Sequence, residues 1–354
     1  YELQAMAADL DGHFLLMENI DASETSGWND RLGPAQGFEP IGRVRDPFTG
    51  NLDGAGYTIA DLTISRPQQG QVAMFGSTED ATIQDLTLSA VSIEGESMVG
   101  SLIGKGSASI SDVTVEGVVT SNDRFVGGLA ARLERGSIND AETDLTISGQ
   151  GPAGGLVGSL GSVEVTDVHV MGSVRAGVWG NVGGVAGSSG SSTVSHAVID
   201  ADVNGGYRTG GAVGNAAGTL SDITVNGRVD GGHRVGGIAG IVRSGSISQS
   251  TMMGPVDGST YVGGLVGRLE ATLTNSTSAG AVTGTKYVGG AVGYQTRDAT
   301  NGSQTVTSTL NANERYGEVI GNDEELRSWL QTEQQLEETL EDAEGSSEGA
   351  EQVK

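Results

Sequence analysis

Apolar and polar residues alternate along this chain in short runs that return at an even interval. The strings Ile83-Gln-Asp-Leu-Thr-Leu88, Ile110-Ser-Asp-Val-Thr-Val115, Val165-Thr-Asp-Val-His-Val170 and Leu220-Ser-Asp-Ile-Thr-Val225 each read as a strand with one buried face. Each lies about 12 residues beyond the first glycine of a glycine-rich apolar run, such as Met98-Val-Gly-Ser-Leu-Ile-Gly104, Phe125-Val-Gly-Gly-Leu-Ala-Ala131, Tyr261-Val-Gly-Gly-Leu-Val-Gly267 or Val288-Gly-Gly-Ala-Val-Gly293. Those first glycines stand at 100, 127, 154, 183, 210, 236, 263 and 289, so the steps are 27, 27, 29, 27, 26, 27 and 26. A third short segment, such as Gly117-Val-Val119, Gly172-Ser-Val174 or Gly227-Arg-Val229, completes each unit. Three strands in ~27 residues leave no room for a helix, so successive units must stack with their strands in parallel. The predicted fold is all-β: a parallel β-helix solenoid of about ten coils, near 50 Å long at about 4.8 Å per coil.

Outside the repeat the pattern changes. Residues 2–10 are helix formers with Leu3, Met6 and Leu10 at helical spacing, and they predict a capping helix before the strand-like His13–Ile20. An irregular stretch follows from Asp21 to Asp46, with Trp28, Pro34 and Pro40 marking turns. Thr58–Ile64 alternates as a strand, and Val72-Ala-Met-Phe-Gly76 begins the repeat proper. Near the other end Asn322 and Glu325 form a capping-box signal ahead of Leu326, Trp329, Leu330, Leu336 and Leu340. The expected organisation is a cap with irregular first coils over 1–70, the β-helix over 71–321, a C-terminal helix over 322–341 that closes the solenoid or meets another chain, and a disordered acidic tail over 342–354.

Composition sharpens this. Glycine supplies 59 of 354 residues without the every-third spacing of collagen, and cysteine is absent, which removes disulfides and thiolate chemistry. Acidic residues number 45 against 19 basic ones, a formal net charge of -26 with lysine at only 105, 286 and 354; this argues against nucleic acid as a partner. Acid excess with arginine in place of lysine is similar to proteins of extreme halophiles, in which molar salt screens self-repulsion; an ordinary acidic surface protein is the alternative. No run of about 18 apolar residues predicts a membrane span. No signal peptide is read at Tyr1, and the chain reads as a mature or trimmed fragment.

Gly155-Leu-Val-Gly158 and Gly264-Leu-Val-Gly267 fit the pattern Gly-Leu-any-Gly literally, and other copies carry Val185, Ala212, Ile238 or Ala291 in place of leucine. In these residues, and in leader segments such as Leu3-Gln-Ala-Met6 and Asp53-Gly-Ala-Gly-Tyr-Thr-Ile59, the chain resembles the GLUG-motif proteins over about residues 1–320. That family occurs in bacterial and archaeal surface proteins of the adhesin type and in some secreted proteases. The resemblance implies a right-handed β-helix in an extracellular or cell-surface setting, and a scaffold rather than one function.

Two polar columns are candidate sites. Asp85, Asp112, Asp140, Asp167, His196, Asp222, Gln249 and Asn275 recur at 26 to 29 residues and should stack on one edge. They read as a turn ladder bonding backbone amides, or as a cation-binding edge for Ca2+, which carboxylates about 5 Å apart would favour. The second column lies just before the glycine pairs, Met98, Phe125, Asn181, Arg208, Arg234, Tyr261 and Tyr287, with Arg124, Tyr207, His233 and Lys286 preceding it; where aromatics meet the scarce cations, Tyr207, Arg208, His233, Arg234, Tyr261 and Tyr287 are the candidate contacts. Such residues stabilise neighbouring coils by stacking, or contact a glycan or anionic polymer. No serine-nucleophile, P-loop or dinucleotide motif is present in a suitable context, and of the histidines at 13, 169, 196 and 233 only His169 and His196 fall one repeat apart. Asn275-Ser-Thr277 and Asn301-Gly-Ser303 are glycosylation sequons.

The sequence leaves open whether Leu265 and Val266 both point inward, since strict alternation would expose one of them. The expected function is a non-catalytic cell-surface or secreted module, for adhesion or envelope scaffolding, presenting its lateral faces to a glycan, a protein or itself. The alternative is a polysaccharide-processing β-helix enzyme, or its scaffold.

Overall fold

The computed structural model describes residues 2–30 and 33–316. Within them the chain winds as a parallel β-solenoid. On one face His13, Asn51, Thr82, Ser109, Ser137, Glu164, Thr193, Thr219, Ser246, Thr272 and Thr300 pair in succession, each parallel to the next, and make eleven rungs. The even period in the sequence is thus the length of one coil. Because the register is kept, the apolar residue that follows on each rung stacks in line: Leu52, Ile83, Ile110, Ile138, Val165, Val194, Leu220, Ile247 and Leu273 are all buried. Each such side chain stabilises the rod by about 1.5–3 kcal/mol relative to exposure.

The number of segments varies along the rod: Phe75–Val99 is one unbroken strand, whereas a late coil holds more than the three predicted. Over one turn they are Val256–Asp257, Thr260–Gly263, Val266–Leu269, Thr272–Thr274 and Ser276–Ser278. The extra breaks come from a bend at Gly264–Leu265 and from the left-handed residue Asn275.

The bend settles the orientation of the apolar pair. Leu265 and Val266 are both fully buried, and so are Leu156 with Val157 and Ile238 with Ala239. The amides of Leu265 and Val266 both donate to the Ala291 carbonyl of the next coil, at 2.8 and 3.0 Å, which turns the chain between them and sends both side chains inward. A Cβ at Gly264 would run into the Gly290 carbonyl and the Ser278 hydroxyl of neighbouring segments. Glycine stands there because the backbones approach too closely for any side chain.

The N-terminal cap is shorter than the 2–10 helix predicted. An α-turn over Glu2–Ala5 runs into a 3-10 turn over Met6–Ala8, and Leu3 and Met6 close over the core. The Gln4 amide fastens the cap: it donates to the Glu39 carbonyl at 2.9 Å and accepts from the Glu39 amide at 2.9 Å. The irregular stretch beyond it belongs to the solenoid, because Phe38, Ile41 and Phe48 are fully buried and Ile41 and Phe48 make parallel bridges to Phe75 and Thr78. Phe48 stacks on Phe75 with ring centroids 4.4 Å apart.

The last described strand, Leu310–Tyr316, pairs with Val282–Gly289. The helix expected over 322–341 and the tail over 342–354 lie outside the described residues. Among the described residues, no helix is long and apolar enough to cross a membrane.

Candidate functional site

The residues of the aspartate column share one backbone conformation. Asp85, Asp112, Asp140, Asp167, His196, Asp222, Gln249 and Asn275 all have φ between 48° and 53°, the left-handed region, and all are exposed. Asp and Asn tolerate that region better than other residues with a Cβ, which is why they recur at the point where one strand turns into the next. The expected bonds to backbone amides differ: Asp167 instead accepts from the Thr166 hydroxyl at 3.0 Å. The column is selected by backbone conformation. Among the described residues no group of three or more His, Cys, Asp or Glu side chains is placed to hold a metal ion, and this column, the candidate edge for Ca2+, makes none.

Histidine pairs with aspartate twice near this edge. His169 Nε2 lies 2.6 Å from Asp200 and His196 Nε2 lies 3.7 Å from Asp222. The Asp200 carboxyl is held below the ordinary aspartate value, first by the hydrogen bond from the Asn226 amide and then by that to His169. Both pairs are substantially exposed, which limits what each contributes to stability.

The aromatic column is continuous over five coils. Trp179 and Tyr207 have centroids 5.9 Å apart, Tyr207 and His233 stack at 5.2 Å with planes 8° apart, His233 meets the edge of Tyr261 at 5.1 Å, and Tyr261 stacks on Tyr287 at 5.1 Å. Tyr294 adds a tilted contact to Tyr261 at 5.2 Å. Cations interleave with the rings. Arg208 and Arg234 lie 5.2 and 5.1 Å from the Tyr207 centroid, Lys286 5.2 Å from Tyr287, and Arg268 5.7 Å from Tyr294. Such contacts each stabilise by about 0.5–2 kcal/mol, most where water is excluded.

Burial divides the predicted contact residues. Arg234 and Tyr261 are fully buried and Arg208 nearly so, so these three hold the coils together and a ligand on the surface would not meet them. Tyr207, His233 and Tyr287 are half-buried and Lys286 is exposed. Within this ring series Tyr207 and Tyr261 hold different register positions. His233 pairs with Thr260, so the aromatic series moves one residue along the chain between His233 and Tyr261, and the edge-on contact marks that step.

Sequence reading passed over Trp179, an exposed member. Gly180 donates to the Gly177 carbonyl at 3.0 Å, closing a turn with Val178 and Trp179 at its tip, 70% and 63% exposed. The signal was the step of 29 between Gly154 and Gly183, the longest in the series.

With this geometry in hand, comparison with known proteins adds two family matches. Residues 2–117 match the M26 IgA1-specific metallo-endopeptidase N-terminal region, and residues 258–283 match the GLUG motif. The immunoglobulin A1 protease of Streptococcus pneumoniae is 27% identical over 199 residues, 54% of this chain and 9% of that protein. Halomucin of Haloquadratum walsbyi is 37% identical over 139 residues, 37% of this chain and 2% of that protein. The chain thus spans a small part of the relatives it matches. A solved structure of a Bacteroides ovatus protein named for the same protease covers 91% of this chain and 78% of its own at 16% identity and a TM-score of 0.41, too slight a likeness to bear on function.

These matches correct the expected function. A purely non-catalytic adhesion or scaffolding module, with no part in enzyme chemistry, is overturned by the endopeptidase match over 2–117 and by the relatives named as proteases, which point to a peptidase-related function. The chain is a GLUG-bearing β-solenoid linked in part to a metallo-endopeptidase family. A helix-borne zinc site would need two histidines four residues apart with a glutamate beside the first. His13, His169, His196 and His233 offer no such pair, so the residues present do not fit that metal set.

Proposed function

We propose that this chain is the solenoid region of a secreted or surface-exposed peptidase related to the immunoglobulin A1 proteases, and that it engages the protein substrate through its aromatic and cationic column. The observation that carries this reading is the match of residues 2–117 to the M26 endopeptidase N-terminal region. The geometry favours the column as the contact face. Its inner members, Arg234 and Tyr261, fix it rigidly, while the Val178–Trp179 tip, Tyr207, His233, Lys286 and Tyr287 offer apolar and cationic surface along successive coils. A rigid row of rings at coil spacing suits an extended segment, which lies across several coils without having to fold. Exposed Trp is also the side chain most often found at the energetic centre of a protein contact.

Immobilised immunoglobulin A1 is the probe. Saturable binding by this chain is expected, weakened at least about tenfold in the double variant Val178→Ser, Trp179→Ala. Both side chains are exposed, so the melting temperature should not move. Absence of binding, or binding indifferent to the pair, overturns the reading.

A further inference from the structure

A cleft of about 690 Å³ opens between two irregular elements of the first coils. One wall is the Arg43–Asp46 turn, closed by reciprocal backbone bonds of 2.9 Å, with Val44 and Arg45 at its tip. The other wall is a bulge. Arg66 pairs with Gly95 and Gly70 with Ser97, so four steps on one strand face two on its neighbour and the extra residues stand out from the sheet. Gln71 follows with φ 58°, in the left-handed region that a side chain enters only at a cost. Bulges of this kind re-aim side chains and gather at functional sites.

The side chain so aimed is Arg66, only 8% exposed although charged. Its guanidinium is held by three hydrogen bonds. Nε donates to the Phe38 carbonyl at 3.1 Å, and Nη1 donates to Gln36 Oε1 at 3.2 Å and to Gln69 Oε1 at 3.0 Å. These bonds use three of its five N–H groups. The two on Nη2 have no acceptor among the described residues, and Arg66 lines the cleft. Arg43 is paired with Glu39 at 2.9 Å, and Arg45 stands exposed at the mouth. Arg43, Arg45 and Arg66 against Glu39 and Asp46 leave the cleft at +1, on a chain whose net charge is -26. Burial lowers the pKa of Arg66; the charge of Glu39 opposes this and that of Arg43 adds to it, so Arg66 gains from an anion placed beside it.

We propose that this cleft binds a single carboxylate, from an acidic peptide side chain or a free small carboxylic acid, seated on Arg66 Nη2 and covered by Arg45. A carboxylate matches the local charge of +1, whereas dianionic phosphate would overshoot it with Glu39 and Asp46 on the rim. The overall negative field draws no anion in, so affinity comes from these directional bonds. The site does not depend on which substrate the aromatic column takes.

The test is titration of the ¹⁵N-labelled chain, following the Arg66 Nε–Hε signal, with acetate in one arm, an N-acetylated aspartyl tripeptide amide in a second, and inorganic phosphate in a third. A saturable shift with a carboxylate probe is expected, with phosphate weaker. The peptide binding about tenfold tighter than acetate assigns the ligand to a peptide, and equal affinity assigns it to a free acid; both uphold the site. Arg45→Ala should weaken binding about tenfold, and Glu39→Gln should tighten it several-fold. Arg66→Lys, which has no second nitrogen to offer a ligand while another is bound to the protein, should weaken binding by more than tenfold. If it melts early, the first two variants decide. No saturable shift in either carboxylate arm, a preference for phosphate, or affinity unmoved by both Arg45→Ala and Glu39→Gln overturns the proposal.

Discussion

Asp112 separates a turn ladder from a cation ladder. Its φ is 53°, its side chain is exposed, and its neighbours Ile110 and Val113 are buried in the stacked core. If backbone conformation is what selects aspartate here, the ranking of substitutions follows from left-handed geometry alone. Valine, branched at Cβ, should cost roughly 1–2 kcal/mol more than aspartate, while glycine and asparagine should lie within about 0.5 kcal/mol of it. A solenoid opens locally, so the assay is native-state hydrogen exchange at the amides of Ile110 and Val113, not a single global melt. Asp112→Val should speed exchange there about fivefold to thirtyfold, with Asp112→Gly and Asp112→Asn within about threefold of the native chain. Calcium at about 10 mM should leave all four proteins unchanged, since an exposed, evenly spaced edge binds so weakly. Exchange in the valine variant equal to the native rate would refute the backbone argument. A calcium-dependent slowing lost in Asp112→Asn would show the ladder to be a cation edge.

Three further outcomes follow from the same geometry. Gly264→Ala places a Cβ against the Gly290 carbonyl of the next coil, and should destabilise the coils around it by roughly 2 kcal/mol or more, read as faster exchange at Leu265 and Val266. The folded pKa of Asp200 lies below its ordinary value of 3.8, so its contribution is present above that value and lost as pH falls toward the folded pKa; Asp200→Asn should lose stability at neutral pH and show a smaller drop in melting temperature on acidification below about pH 4. Lowering salt from molar to about 0.1 M lengthens the screening distance from about 3 to about 10 Å, and with a net charge of -26 the melting temperature should fall by several degrees if the acidity is an adaptation to salt; an unchanged melt rejects that adaptation.

The coil was legible in the sequence because it repeats: one alternating string such as Ile110–Val115 is ambiguous, while the same string at even spacing fixes both strand and stacking. The inward turn of Leu265 and Val266 was not legible, because it depends on two amides sharing the Ala291 carbonyl of another coil. Spacing correctly set the aspartates in line, and the shared φ of His196 and Gln249 explains why residues of different chemistry occupy the same column. Spacing also placed Tyr261 and Arg234 in one column, but could not tell that both side chains lie inside. Arg66 was missed altogether. Its role depends on a bulge in one segment and a turn some 20 residues earlier, neither of which follows the repeat. The same dominance of the repeat drew the functional expectation toward a passive rod, whereas the endopeptidase match over 2–117 takes in the irregular stretch before the repeat.

The most direct measurement of the central claim is site-specific photo-crosslinking to immunoglobulin A1. A photoreactive phenylalanine replaces Trp179 at the exposed tip in one protein and Asp112 on the turn ladder in another. Crosslinks to the immunoglobulin from position 179, few or none from position 112, and competition by the unlabelled native chain are the predicted result. Equal crosslinking from both positions, or crosslinking from 112 alone, would contradict the assignment of the aromatic column as the face that meets the substrate.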